Sequence, residues 1–176
     1  ELADARHYPS VSWTESFSGY VADAAKWWRD NIDPRWQKHR ALALFLLTQA
    51  EELSRIVNLV GAEALSPLQR WNLETAGLVK EAVLQQSALD PVDSYCSPEK
   101  QFALLQLISS IYDTGKELLE LEIPVSSIMG LKIMARVKRA KSLYDSQQLD
   151  QLQRFTEEVQ QALEQLRAQY EEEVTP

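Results

Sequence analysis

Glycine is scarce in this chain. Only 5 of its 176 residues are Gly, at positions 19, 61, 77, 115 and 130. A loop that cradles phosphate needs clustered glycines, so that backbone N–H groups can close on the ligand. Neither GxGxxG nor GxxxxGK[ST] can be written anywhere, so the chain carries no P-loop and no Rossmann turn. Cysteine is rarer still. The single Cys96 excludes an intramolecular disulfide framework and any multi-cysteine metal site. The two histidines, His7 and His39, have no HExxH or HxH spacing, so no metal site is expected. No apolar run approaches the roughly 18 residues of a membrane span, and no signal-peptide pattern occurs, so direct membrane insertion is not expected. Positive charge is outnumbered, with 18 basic against 26 acidic residues and a net charge of −8. Phosphate backbones reward the opposite balance, which makes nucleic acid an unsuitable partner. Strand signals are missing too: there is no sustained period-two alternation and no Asn-Gly or Asp-Gly turn.

What is present is helical periodicity. The reading is an all-α chain of about six helices in a bundle or short superhelix, after an extended N-terminal lead-in over residues 1–12 that contains Pro9. Phe17, Tyr20, Val21, Ala24, Trp27 and Trp28 lie three and four apart and predict a first helix from Trp13 to about Ile32. Asp33–Pro34 reads as an N-cap followed by Pro at the first helical position. The second stripe is Leu42, Leu46, Ala50, Leu53, Val57 and Val60, stopped by Gly61. Ser66–Pro67 opens a third helix bearing Leu68, Trp71, Leu78, Val79 and Ala82, so residues 35–87 predict a helical hairpin with a turn at 61–66. Ser97–Pro98 opens a fourth, with Glu99 in the first turn where the helix dipole favours it. After Pro124, residues 126–144 predict a shorter helix. The last, over 147–172, carries Leu149, Leu152, Phe155, Val159, Leu163, Leu166 and Tyr170.

Side-chain chemistry is sparse. Nucleophilic catalysis needs a nucleophile and a base within reach, and Cys96 with His39 or His7 is the only Cys–His option, without a flanking signature. A half-buried loop thiol explains Cys96 more simply. Asp90 and Asp93 flank a loop proline, where capping or Asx turns account for them. Trp27–Trp28 could stack on a ligand, but helical spacing favours packing. The basic run Lys132, Arg136, Lys138, Arg139 and Lys141 reads as a solvated helix face. The last amphipathic stripe could seam with a partner helix or pack on its own domain. No set of residues here makes a self-contained enzyme.

Three stretches resemble one family. Arg6-His7-Tyr8-Pro9-Ser10-Val11-Ser12-Trp13 resembles the RHYPxxxW segment of the catalytic A subunit of V-type and A-type rotary ATPases. Leu53 to Leu65 resembles that subunit's ELxxIVxLVGxxAL hairpin. Asp90-Pro91-Val92-Asp93-Ser94-Tyr95-Cys96-Ser97-Pro98-Glu99-Lys100-Gln101 is similar to its DPVDTYCSPEKQ, the most specific of the three. The resemblance covers essentially the whole chain in the same order. It implies the C-terminal helical domain of an ATP-hydrolysing subunit. Residues 1–12 would end the preceding nucleotide-binding domain, and 13–176 would form the helical domain. Glu1 stands where a complete chain would have Met, consistent with a start inside a longer protein.

The resemblance further implies a mechanical role: coupling closure of the nucleotide site to rotation of a central stalk in an ion-translocating complex. The fragment would hold no cofactor and no catalytic residue, while the parent subunit would use ATP and Mg. Its partners would be its own upstream nucleotide-binding domain, the B subunits of the ring and the central rotor stalk. Its place would be cytoplasmic, in the peripheral part of a membrane-bound complex. The turn Ala62, Glu63, Ala64, Leu65 and Ser66 would meet the rotor, in the position of the acidic DELSEED loop of the F-type beta subunit. Here only Glu63 is acidic, so shape and stiffness are expected to matter more than charge. Ala88 and Leu89 would edge the adenine pocket. The family pattern there is QQNAF, and this chain reads Gln85-Gln86-Ser87-Ala88-Leu89, with Leu in place of the stacking Phe. Leu can cover a ring but offers no π face. Two rivals remain: a free-standing helical scaffold or adaptor that has lost the nucleotide role, favoured by Leu89, and an independent enzyme, which the missing motifs disfavour.

Overall fold

The computed structural model describes residues 13–14, 20–87 and 89–174. Within them every regular element is helical. The elements are α1 (Val21–Asn31), α2 (Trp36–Val60), a 3-10 turn (Ala62–Ala64), α3 (Pro67–Val79), a π turn (Lys80–Leu84), α4 (Pro98–Glu120), α5 (Val125–Met129), α6 (Lys132–Lys138), α7 (Ala140–Leu143) and α8 (Leu149–Val174). The extended lead-in expected over residues 1–12 lies outside the described residues.

The expected helices α2, α3 and α4 open at or near their capping signals and α8 forms over its apolar stripe, whereas of the first, expected from Trp13, the regular helix α1 spans Val21–Asn31 and Trp13 and Thr14 lie in a turn. Ser66 and Gln69 make a reciprocal capping box: Ser66 Oγ accepts the Gln69 N–H at 3.3 Å, and Gln69 Oε1 accepts the Ser66 N–H at 2.9 Å. Ser97 Oγ accepts the Lys100 N–H at 3.2 Å at the start of α4. Asp33 makes an Asx turn rather than the expected N-cap: its Oδ1 accepts the Arg35 N–H at 2.7 Å, but α2 begins at Trp36 with Arg35 at the N-cap position, so Pro34 stands before the helix and not in its first turn. Gly61 ends α2 at φ +90°, a conformation L side chains rarely adopt.

The sixth stretch, 126–144, breaks into α5, α6 and α7. The reason is geometric. Ile128 and Val137 are both fully buried, yet nine residues of straight helix would set them about 180° apart. Leu131, extended at ψ 129°, and Arg139, at φ −103° and ψ 5°, turn the chain so that both face inward.

Helices α2, α3, α4 and α8 enclose the main core. Trp71 sits at its centre, fully buried, with its indole Nε1–H donating to the Tyr112 carbonyl at 3.1 Å. Gly115 on α4 makes room for that ring, since a Cβ there would lie 2.1 Å from Trp71 Cζ2. A smaller cluster joins Trp36, Phe102 and Leu105 to Ala25, Trp28 and Ile32. Trp28 lies parallel on Trp36, centroids 4.9 Å apart, so packing rather than a ligand occupies it. The expected face of the first helix is rotated: α1 uses Ala25, Trp28 and Ile32, while Tyr20 and Trp27 are exposed. Phe17 lies outside the described residues. The stripe of α8 is spent on its own domain, with Leu152, Phe155, Val159, Leu163 and Leu166 all buried in the main core. Tyr170 closes its far end, its hydroxyl 2.9 Å from Ser127 Oγ.

Candidate functional site

The antiparallel pair α2 and α3 forms a hairpin whose turn is built to keep its shape. The Gly61 N–H donates to the Val57 carbonyl at 2.9 Å, and the Leu65 N–H to that of Ala62 at 3.2 Å. Arg70 reaches back from α3: its Nε donates to the Leu65 carbonyl at 3.0 Å and its Nη2 to that of Glu63 at 3.1 Å. The turn's free carbonyls are thus tied to the helix that follows, which the capping box also fixes. Of the five residues read as a rotor contact, Ala62, Glu63, Ala64 and Ser66 are exposed. Leu65 is buried and plugs the turn onto the domain.

The exposed surface extends beyond those five. Ile56, Leu59 and Val60 on the last turns of α2 and Leu68 on α3 all face outward, with Leu59 84% exposed. Sequence reasoning counted Val60 and Leu68 as core. Their periodicity is that of a buried face, but at the hairpin's end these positions stay exposed among the described residues. Such a cluster is the form a contact surface takes.

The second candidate region is the loop between the π turn and α4. The π turn closes with the Gln85 N–H on the Lys80 carbonyl at 2.8 Å. Leu89 is 96% exposed. Ala88 lies outside the described residues. Asp90 makes the expected Asx turn, its Oδ1 accepting the Val92 N–H at 2.9 Å. Asp93 does something different. It is buried, accepts the Ser87 N–H on Oδ2 at 2.7 Å, and pairs with Lys141 Nζ at 3.2 Å. Beside this pair a groove of about 470 Å³ is lined by Gln85, Ser87, Lys138 and Arg139, among others.

The basic run around that groove is only partly a solvated face. Arg136 donates to the Tyr144 hydroxyl at 3.2 Å and to Glu158 at 2.9 Å, and these two partners hold its pKa up. Its guanidinium also lies over the Phe155 ring. Lys138 pairs with Glu81 at 3.4 Å, and Lys141 with Asp93. Arg139 stays exposed, with no side-chain partner among the described residues. No sequence spacing could have paired these lysines with carboxylates two helices away.

No Cys–His pair assembles from the described residues. His39 Nδ1 sits 2.8 Å from Ser109 Oγ, and burial pushes its pKa down. Cys96 Sγ faces the Ser97 carbonyl at 3.7 Å, and burial pushes its thiol pKa up, away from the reactive thiolate. His7 lies outside the described residues. Among those residues no group of three or more His, Cys, Asp or Glu could hold a metal, and no helix is long and apolar enough to cross a membrane.

The described residues thus form a helical domain with a braced, apolar-tipped hairpin at one place and a charge-clamped loop at another. The chain belongs to the family of C-terminal domains of V- and A-type ATP synthases, whose model matches residues 25–128. It is 59% identical over 172 residues to the V-type ATP synthase alpha chain of Nitrosococcus oceani, covering 98% of this chain and 29% of that protein. The A subunit of the A-type ATP synthase of Ignicoccus hospitalis is 46% identical over 127 residues, which is 72% of this chain and 21% of that protein. Its counterpart in Hyperthermus butylicus is 38% identical over 168 residues, or 94% and 28%. The chain therefore spans less than a third of the length of the curated relatives it matches.

Proposed function

We propose that this domain is the lever of a rotary ATPase catalytic subunit. In the whole subunit, residues 1–12 end the nucleotide-binding domain and residues 13–176 form the arm it drives. ATP, with Mg, is bound and hydrolysed upstream. The arm leans on a central stalk inside a ring shared with B subunits, in the cytoplasmic, peripheral part of an ion-translocating complex. The carrying observation is the hairpin end: a turn braced by Arg70 and the Ser66–Gln69 box, with Leu59 and Val60 exposed beside it. A pushing contact needs stiffness and a surface that excludes the partner's volume. Glu63 supplies one charge, and apolar area supplies the rest. Leu89 edges the adenine base by area burial rather than stacking, with Ala88 next to it.

The experiment is cross-linking in the assembled complex. Cysteine placed at Ala62 or Ala64, opposite cysteines along the stalk, forms a disulfide under oxidation. ATP turnover then stops and returns on reduction. If neither position cross-links to any stalk residue while turnover proceeds, the lever reading fails. The rival is a scaffold that has lost its nucleotide role, and it draws on Leu89. That rival expects nucleotide affinity of the whole protein to be indifferent to what occupies position 89.

A further inference from the structure

The loop from Gln85 to Ser97 is fixed by three buried charges. Asp93 is 3% exposed, and the Lys141 side chain 11%. Lys100 is 0% exposed, and its Nζ donates to the Lys141 carbonyl at 2.7 Å and to the Val92 carbonyl at 3.4 Å. Asp93 Oδ2 serves both the Ser87 N–H and Lys141 Nζ. Gln86 Nε2 adds a bond to the Asp93 carbonyl at 3.2 Å. Desolvating such charges is costly, and well-packed apolar residues often stabilise a fold as well or better. Stability is therefore a poor reason for this arrangement. Geometry is a better one. A carboxylate that accepts a single N–H fixes the orientation of that peptide, and Ser87 stands two residues before Leu89. Lys141 in turn fixes the carboxylate, and its own backbone is held by Lys100.

We propose that Asp93 and Lys141 are positioning residues for the adenine edge. They do not touch the nucleotide. They set the height and angle at which residue 89 meets the base, tying that edge to α7. This rests on the reading of position 89 as the adenine edge.

The test uses the whole complex, with steady-state ATP hydrolysis as readout. Asp93→Asn and Lys141→Met are each expected to raise KM for ATP about tenfold while kcat changes less than about twofold. The double variant is expected to be no worse than the poorer single, because the pair acts as a unit. Lys141→Arg, which keeps the charge, restores the parent KM. KM values within about twofold of the parent in both single variants overturn the proposal, as does a fall in kcat at unchanged KM. If Asp93→Asn does not assemble, Asp93→Glu carries the same expectation and the same refutation, because one added methylene displaces the carboxylate but keeps its charge. Leu89→Phe and Leu89→Ala are measured alongside, and they should move KM in opposite directions. Movement at Leu89 without movement at Asp93 or Lys141 overturns the positioning role alone. No movement at Leu89 overturns the adenine-edge reading itself.

Discussion

Two residues show how single positions hold this domain together. Gly115 has no side chain because Trp71 fills the space, and that ring cannot withdraw without breaking its bond to the Tyr112 carbonyl. Gly115→Ala should therefore destabilise the domain by about 1–3 kcal/mol, read as a lower urea midpoint. His39 is the second. Its Nε2 is buried without a hydrogen-bond partner among the described residues, against a wall that includes Leu42, Leu46, Val79 and Ile108. Burial, then Arg35 and Lys38, lower its pKa from 6.5, with Asp33 and Asp113 opposing. The unfolded chain thus binds the proton first. This stability is fully present above the unfolded pKa and is lost as pH falls from there through the folded pKa. Denaturation midpoints should drop across that window, and His39→Gln should flatten the drop. An equal drop in the variant would assign the effect elsewhere. Neither role was legible in the sequence. A lone His and an isolated Gly look alike whether buried or not, and what decides is the neighbour that folding brings.

Elements were more legible, because their signals are local. Ser-Pro at 66–67 and 97–98 marked helix starts, and both serines cap as the pattern requires. Gly61 marked the stop of α2. The break of 126–144 into three short helices was not legible, since it answers to the core on two sides of the segment rather than to its own propensities. The same holds for the hairpin's last turns, where a core-like stripe ends uncovered. Removing the cap tests how far the turn depends on it. Ser66→Ala should cost about 0.5–2 kcal/mol, and amide exchange should quicken first at the start of α3. Ser66→Asp, which keeps an acceptor, should restore protection. Unchanged exchange in the alanine variant would transfer the bracing to Arg70.

At the scale of the whole molecule, family membership was written in three motifs, whereas the buried charges behind them were not. Asp93, Lys100 and Lys141 come from separate elements, and their pairing follows from the packing of α4 and α7 around one loop. The motif residue Trp13 packs onto the main core. The chain as given should show no ATP turnover in a coupled phosphate-release assay, since no phosphate loop can be written in it. Turnover above background would return it to the enzymes. The π turn at Lys80–Leu84 carries one more consequence. It stores one residue more than an α-helix would use over the same rise. Each residue of an α-helix advances the chain by about 100° around the axis. The surplus residue spreads nearly the same turn about the axis over one position more, so a deletion within 80–84 that restored regular α winding should leave the loop after Gln85 in phase and Ser87 within reach of Asp93. The hairpin thus takes up one surplus residue between its tip and its clamped loop without changing the angle between them.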